Sequence, residues 1–461
     1  MSIGFRRPLE AVDLAGLVAA FPPPPEYFES AWLDTPETIE RKQLSRLKDH
    51  LLAAERVPFF RRRWKEAGFD ARALCSLEEL RHVPAYTVDD IRRSIEASPP
   101  WGDYQGVVPE DARREPMRIY MSGGTTGTAR PIFFTQWDRE VGAILMARGL
   151  YMLGIRPGDV VINAWAYSTH NAAHMYDEAL YRWLNCVVLT TSTGNVTSSE
   201  RQLELAMQYG AKSILTTGDY IMHLADVARK LGHDPKKDFS FRALPSLFRS
   251  EEIESTFGAE ALGFYGNHEV QKIAVECPAR KGLHIFEDAF IVQIVDPETG
   301  AELPEGEFGA ICVTELYKSG GPQIRYNVLD LSRLLPRERC ACGSWLRRLE
   351  PFSGRGDNMV KLRGVNIWPE AVGEVALAVP GAGTDWFVKA VRENNRDELI
   401  VYVVSERDRS AFVAIAAAIE KALKEKFGVR IRAEVVAPGA LDAWTGFNQA
   451  AKLRRFLDER N

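Results

Sequence analysis

Hydrophobic and polar positions change their rhythm three times along the chain. Between residues 138 and 266, short apolar runs alternate with stretches of helical periodicity. Helices are expected at 138–153, 172–185, 198–209 and 219–231, the third stopped by Gly210. Strands are expected at 159–164, 187–190, 213–216 and 263–265. This alternation predicts a partly parallel α/β sheet, in which ligands gather beyond the carboxyl ends of strands. From 271 to 350 the runs shorten into β segments broken by turns such as Asp296-Pro297-Glu298-Thr299-Gly300, as in a small distorted barrel. In the last stretch Pro369 opens a helix, strands at 385–392 and 398–405 flank a polar turn, a helix covers 408–426 and a strand 429–436. Upstream, Thr35 and Pro36 supply an N-cap and a first-turn proline for an amphipathic helix running to about Ala67. The expected fold class is therefore α/β. Residues 1–354 form a large N-terminal domain of α/β sheets plus a distorted β-barrel, and 355–461 a small C-terminal α+β domain.

Composition narrows the function classes. The 461 residues allow two or more cores, and the net charge of −5, with acids and bases evenly spread, gives no support for a nucleic-acid-binding surface. No apolar run approaches membrane-spanning length, and the N-terminal residues do not read as a signal peptide. Six scattered cysteines make no disulfide framework, so the cytoplasm is the expected compartment. The oligomeric state is open, a homodimer included.

One short stretch carries a distinct chemistry. Ser122-Gly123-Gly124-Thr125-Thr126-Gly127-Thr128 is followed by Arg130, between strands expected at 117–121 and 131–135. Glycines bring backbone N–H groups close to a ligand, hydroxyls add short donors, and a guanidinium adds a planar cation. That set suits a polyphosphate. A Gly/Thr run alone is more often a surface loop, and it lacks the Lys-Ser/Thr pair of a P-loop.

The stretch resembles the phosphate-binding loop of the adenylate-forming ligases, in the form found in the phenylacetate-CoA ligase branch. Further motifs follow in that family's order. Phe264-Tyr265-Gly266-Asn267-His268-Glu269 resembles its aromatic-Gly-x-Thr/Ser-Glu turn. There the resemblance makes Glu269 a Mg²⁺ ligand, puts His268 in place of a hydroxyl residue at the α-phosphate, and sets Phe264, Tyr265 and Gly266 beside the adenine. Ile324-Arg-Tyr-Asn-Val-Leu-Asp330 resembles the ribose-binding segment, with Asp330 on the diol. Ser353-Gly-Arg355-Gly-Asp357 resembles the hinge, with Arg355 near the ribose and Asp357 as pivot. Lys361-Leu-Arg-Gly364-Val-Asn-Ile-Trp-Pro is similar to the same branch, and Ala450-Ala-Lys452-Leu-Arg-Arg-Phe to its terminal catalytic-lysine segment.

The resemblance implies ATP-dependent activation of a carboxylic acid as acyl-AMP with release of pyrophosphate, then transfer to a thiol, CoA foremost. Lys452, Glu269 and His268 would be catalytic, and the C-terminal domain a mobile lid. The partners are then a small-molecule acid, ATP and CoA, without nucleic acid or membrane. The acid is expected to be aromatic or heteroaromatic, because Trp165, Tyr167 and Tyr176 can stack on a ring while His170, Asn171 and His174 offer polar contacts. Transfer to an amine or a carrier protein, and a nucleotide-binding protein without catalysis, are the alternatives.

One cluster stands outside that resemblance. Cys277, His284, Cys340 and Cys342 can close a tetrahedral site for a structural Zn²⁺. Buried free cysteines are the plainer reading.

Overall fold

The computed structural model describes residues 6–122, 129–246, 250–352, 360–363, 365–383, 385–393, 396–446 and 453–460. The chain divides into two compact units: Met1–Val328 with Arg333–Pro351, and Leu329–Ser332 with Phe352–Asn461.

In the first unit, β1 (Met117–Ser122) and β2 (Arg130–Thr135) pair antiparallel from Met117↔Thr135 to Ser122↔Arg130. A helix follows at once (Gln136–Met152), started by a capping box in which Thr135 and Asp138 bond reciprocally. Next, β3 (Val160–Asn163), β4 (Val187–Thr190) and β5 (Ser213–Leu215) make a parallel sheet in the order β4-β3-β5. Helices Ser199–Gln208 and Gly218–Lys230 bury Leu203, Ile221 and Leu224 with Ile162 and Ile214 of the sheet in one core. Each such side chain contributes about 1.5–3 kcal/mol of transfer free energy. Gly210 takes φ +60 where the first of these helices stops, a conformation that a Cβ would strain.

Three expectations are corrected. The single helix expected from Pro36 to Ala67 is two, Pro36–Ala54 and Pro58–Ala67. Pro58 has no N–H to give, and Val57 before it is extended (φ −76°, ψ 124°). The helix expected over 172–185 is Ala172–Glu178 followed by a π-helical turn, Ala179–Trp183. The strand expected at 263–265 does not join the parallel sheet. It is β6 (Phe264–Asn267), which pairs antiparallel with β7 (Gln271–Glu276). Gly266 permits this return: a Cβ there would lie 1.9 Å from the Gln271 carbonyl oxygen, so the close approach of the two strands requires glycine.

The sheet continues through β8 (Leu283–Ile285) to β12 (Arg348–Leu349), in the order β12-β8-β7-β6. A second sheet holds β9 (Phe290–Val295), β10 (Gly309–Glu315) and β11 (Tyr326–Ser332) in the order β11-β10-β9. Among the described residues these ladders do not close into a barrel.

The second unit holds the hairpin β13 (Val360–Leu362) and β14 (Val365–Ile367), then a four-stranded sheet. Its members β15 (Trp386–Glu393), β16 (Arg396–Val404), β17 (Arg432–Val436) and β18 (Phe456–Glu459) run in the order β17-β16-β15-β18. Val388, Leu399 and Val401 pack in one core with Ile419 and Leu423 of helix Phe412–Phe427. That helix ends at Gly428, φ +72. Among the described residues no helix is long and apolar enough to cross a membrane.

Candidate active site

The Gly/Thr run is bracketed by Ser122 at the end of β1 and Arg130 at the start of β2, a directly paired couple. Gly123, Gly124, Thr125, Thr126, Gly127 and Thr128 lie outside the described residues. Both brackets turn to one carboxylate: the Ser122 hydroxyl and an Arg130 Nη each donate to Glu269 Oε1 at 2.9 Å. Glu269 sits in the turn from β6 to β7 and is buried. Burial pushes its carboxyl up, but the neighbouring His268 ring, the Arg130 guanidinium and the hydrogen bonds from Arg130 and Ser122 outweigh that and hold it below its ordinary range. A buried carboxylate, favoured in its ionised form, is therefore held by the two residues that bracket the Gly/Thr run in sequence.

This ion pair has a measurable consequence. Because the folded-state value is depressed, its stabilisation is present above the unfolded carboxyl pKa of about 4.3 and lost as pH falls through the folded value. Arg130→Met strands a buried carboxylate, which costs about 3–5 kcal/mol. The melting-temperature gap between wild type and Arg130→Met should be widest at neutral pH and narrow below about pH 4. A gap independent of pH would show that Glu269 does not depend on Arg130.

The turn is held from behind by a residue that sequence reasoning missed. Lys318, whose side chain has no exposure, donates through Nζ to the Glu269 carbonyl and lies 4.2 Å from the Phe134 ring centroid. Burial pushes the nearby Glu315 carboxyl up to about 8, so at neutral pH it is largely protonated. The only sequence signal was a lysine between a β segment and Gly320-Gly321. Asp138 fixes the same loop, accepting from Ser319 N and Gly320 N at 2.8 Å each.

The loop after β3 meets this turn. Met121 N donates to the Thr169 carbonyl at 2.8 Å, tying the loop to the end of β1. Asn171 Nδ2 donates to the His268 carbonyl at 3.2 Å, and the His170 and His268 rings lie 4.6 Å apart. Ser122, Arg130, His170, Asn171, His268 and Glu269 thus stand together. Other aromatic and imidazole candidates are engaged internally. Tyr167 donates to Asp177 at 2.9 Å and accepts from Asn163 at 2.8 Å. His174 Nε2 is 3.3 Å from the Ser168 carbonyl, and Trp165 stacks on the buried Tyr176 at 6.0 Å. Phe264 packs against Gly149, where a Cβ would meet its ring at 2.6 Å, and strand alternation puts the buried Tyr265 on the opposite face.

Asp330 lies half-buried in the second unit. Arg355, Asp357, Gly364 and Lys452 lie outside the described residues, as does the side chain of Lys361, whose backbone is in β13.

A separate cluster brings Cys277, His284, Cys340 and Cys342 together, their ligand atoms all within 4.8 Å of one another. Cys277 Sγ and Cys340 Sγ are 3.8 Å apart, and Cys342 Sγ is 3.5 Å from His284 Nε2.

Residues 364–460 match the profile of the AMP-binding enzyme C-terminal domain. A phenylacetate-coenzyme A ligase of Thermus thermophilus is 32% identical over 459 residues, 92% of this chain and 98% of the relative. The chain belongs to the phenylacetate-coenzyme A ligase family. It is an AMP-forming ligase that joins a carboxylic acid to CoA by way of acyl-AMP. A Pseudomonas putida ligase of the same name is 31% identical over 438 residues, covering 90% of this chain and 94% of the relative. Among solved structures, a 2-hydroxyisobutyryl-CoA ligase in the postadenylation state, in complex with R3-HIB-AMP, matches with a TM-score of 0.81 and 25% identity. That match covers 95% of this chain and 94% of the other.

Proposed function

We propose that this ligase activates an aromatic or heteroaromatic acid. The observation that carries the reading is the clamp on Glu269 of Ser122 and Arg130, the residues that bracket the Gly/Thr run in sequence, with the 165–176 loop tied to the same strand end. The Gly/Thr run would hold the β- and γ-phosphates. Glu269, as a buried anionic oxygen donor, would hold Mg²⁺, which neutralises phosphate charge when bound. The acid's carboxylate oxygen attacks the α-phosphorus, pyrophosphate leaves, and the CoA sulfur then displaces AMP from the carbonyl carbon. The protein's part is positioning and charge stabilisation. The half-buried Trp165, backed by the buried Tyr176, offers the aromatic surface for a flat acid beside the loop. Asp330 would bind the ribose, and Asp357 would be the pivot on which the C-terminal unit turns between the two half-reactions, with Lys361 and Gly364 on the acceptor side. Pyrophosphate release with Mg–ATP and a panel of acids tests the assignment. Preference for aryl acids is the expected result, and preference for long fatty acids would refute it.

The four-residue cluster is proposed as a structural zinc site. Two thiolates on a tetrahedral Zn²⁺ stand about 3.8 Å apart, and a thiolate and an imidazole nitrogen about 3.6 Å. The observed 3.8 and 3.5 Å match these spacings, and 3.8 Å is far too long for a disulfide. Elemental analysis should find about one zinc per chain, and chelation should lower the melting temperature. Metal-free protein of unchanged stability would remove the site.

A further inference from the structure

The least explained group in the site is His268. It is only 7% exposed, yet neither ring nitrogen has a hydrogen-bond partner among the described residues. Buried polar atoms are nearly always paired, so two unpaired nitrogens on one ring point to a missing partner. A neutral imidazole carries one N–H donor and one lone pair. The positive charge at this site is brought by the guanidinium of Arg130.

The surroundings say which ligand meets the ring. His268 is joined to the loop after β3 by Asn171, which holds its carbonyl, and by His170, whose exposed ring lies against it. On the same loop Trp165 Nε1 is likewise buried without a partner. Tyr167 and His174, by contrast, already have partners. Of the buried polar atoms without a partner among the described residues, three thus belong to the loop proposed for the acid and the ring packed against it: Trp165 Nε1 and both nitrogens of His268.

We propose that His268 selects the acid: its imidazole hydrogen-bonds a hydroxyl, amino or ring-nitrogen group carried beside the carboxyl of an aryl or heteroaryl substrate. This rests on the reading of the chain as an aryl-acid ligase. A plain ring in that place would leave both nitrogens unpaired, and an acid with such a neighbour satisfies at least one of them.

The test measures pyrophosphate release by the full chain with Mg–ATP and matched acids. Benzoate is compared with 2-hydroxybenzoate, 2-aminobenzoate and pyridine-2-carboxylate, and phenylacetate with 2-hydroxy-2-phenylacetate. At least one substituted acid should exceed its parent about tenfold in kcat/KM, the effect of one neutral hydrogen bond. That ratio should collapse to about one in His268→Phe and return in part in His268→Gln. His268→Phe should also melt at or above the wild-type temperature, because it removes an unpaired buried polar group. Equal use of parent and substituted acids, a ratio that survives His268→Phe, or a fall of several degrees in its melting temperature would each overturn the proposal. Absence of pyrophosphate release with every acid would defeat the aryl-ligase reading and this inference together. Release without discrimination would defeat this inference alone.

Discussion

Glu269→Gln should slow acyl-adenylate formation by about 10²–10³-fold, measured as single-turnover pyrophosphate release. The substitution keeps the side chain's shape and leaves an oxygen to accept from Ser122 and Arg130. It removes the negative charge, which a hard cation needs in its oxygen ligand. The concentration of Mg²⁺ giving half-maximal rate should therefore rise as well. Circular dichroism before the assay would separate this from unfolding, because the variant also leaves the Arg130 charge uncompensated in a buried place. Wild-type rates at ordinary Mg²⁺ would remove Glu269 from the site.

Lys452→Ala should have a comparable effect, about 10²–10³-fold, on one half-reaction only. Negative charge grows on the α-phosphate and carboxylate oxygens as the adenylate forms, and an ammonium placed there stabilises it. On the proposed assignment the CoA step starts from the finished adenylate and would not need that group. The variant should thus fail to release pyrophosphate yet still convert supplied acyl-AMP to acyl-CoA. Two nearby arginines are engaged in their own unit: Arg455 with Asp385 and the Trp386 carbonyl, Arg454 with the Phe456 carbonyl at 3.0 Å. Their alanine variants should retain adenylation. A Lys452→Ala protein that adenylates at the wild-type rate would contradict the assignment.

Much of the fold was legible because its signals are local. The β3–β5 sheet announces itself through apolar runs of strand length separated by helical periodicity. The position of β6 was not legible, because Phe264-Tyr265 reads as a buried strand in either sheet. Gly266 is visible in the sequence, but the close backbone approach of Gln271 that it permits is shown only by the packed structure. Pro58 was a visible breaker overridden by an amphipathic pattern that continued beyond it. In the site, Glu269 could be singled out by its motif, but its contacts with Ser122 and Arg130 join residues 147 and 139 positions apart. Lys318 had no motif at all; burial and a backbone carbonyl give it its place. Tyr167 and His174 show the converse, since residue types suited to a ligand are here taken up by Asp177 and Ser168.

The central claim is that the acid is activated by attack of its own carboxylate on the α-phosphorus of ATP. The acid should be labelled with ¹⁸O in its carboxyl group and turned over to completion with ATP, Mg²⁺ and CoA. The AMP and phosphate products are then weighed by mass spectrometry. Breakdown of an acyl-adenylate by the CoA sulfur cleaves the bond from carbonyl carbon to oxygen, so AMP must retain one labelled oxygen. One ¹⁸O in AMP and none in pyrophosphate is the predicted result. Label in inorganic phosphate with formation of ADP, or AMP without label, would contradict the account.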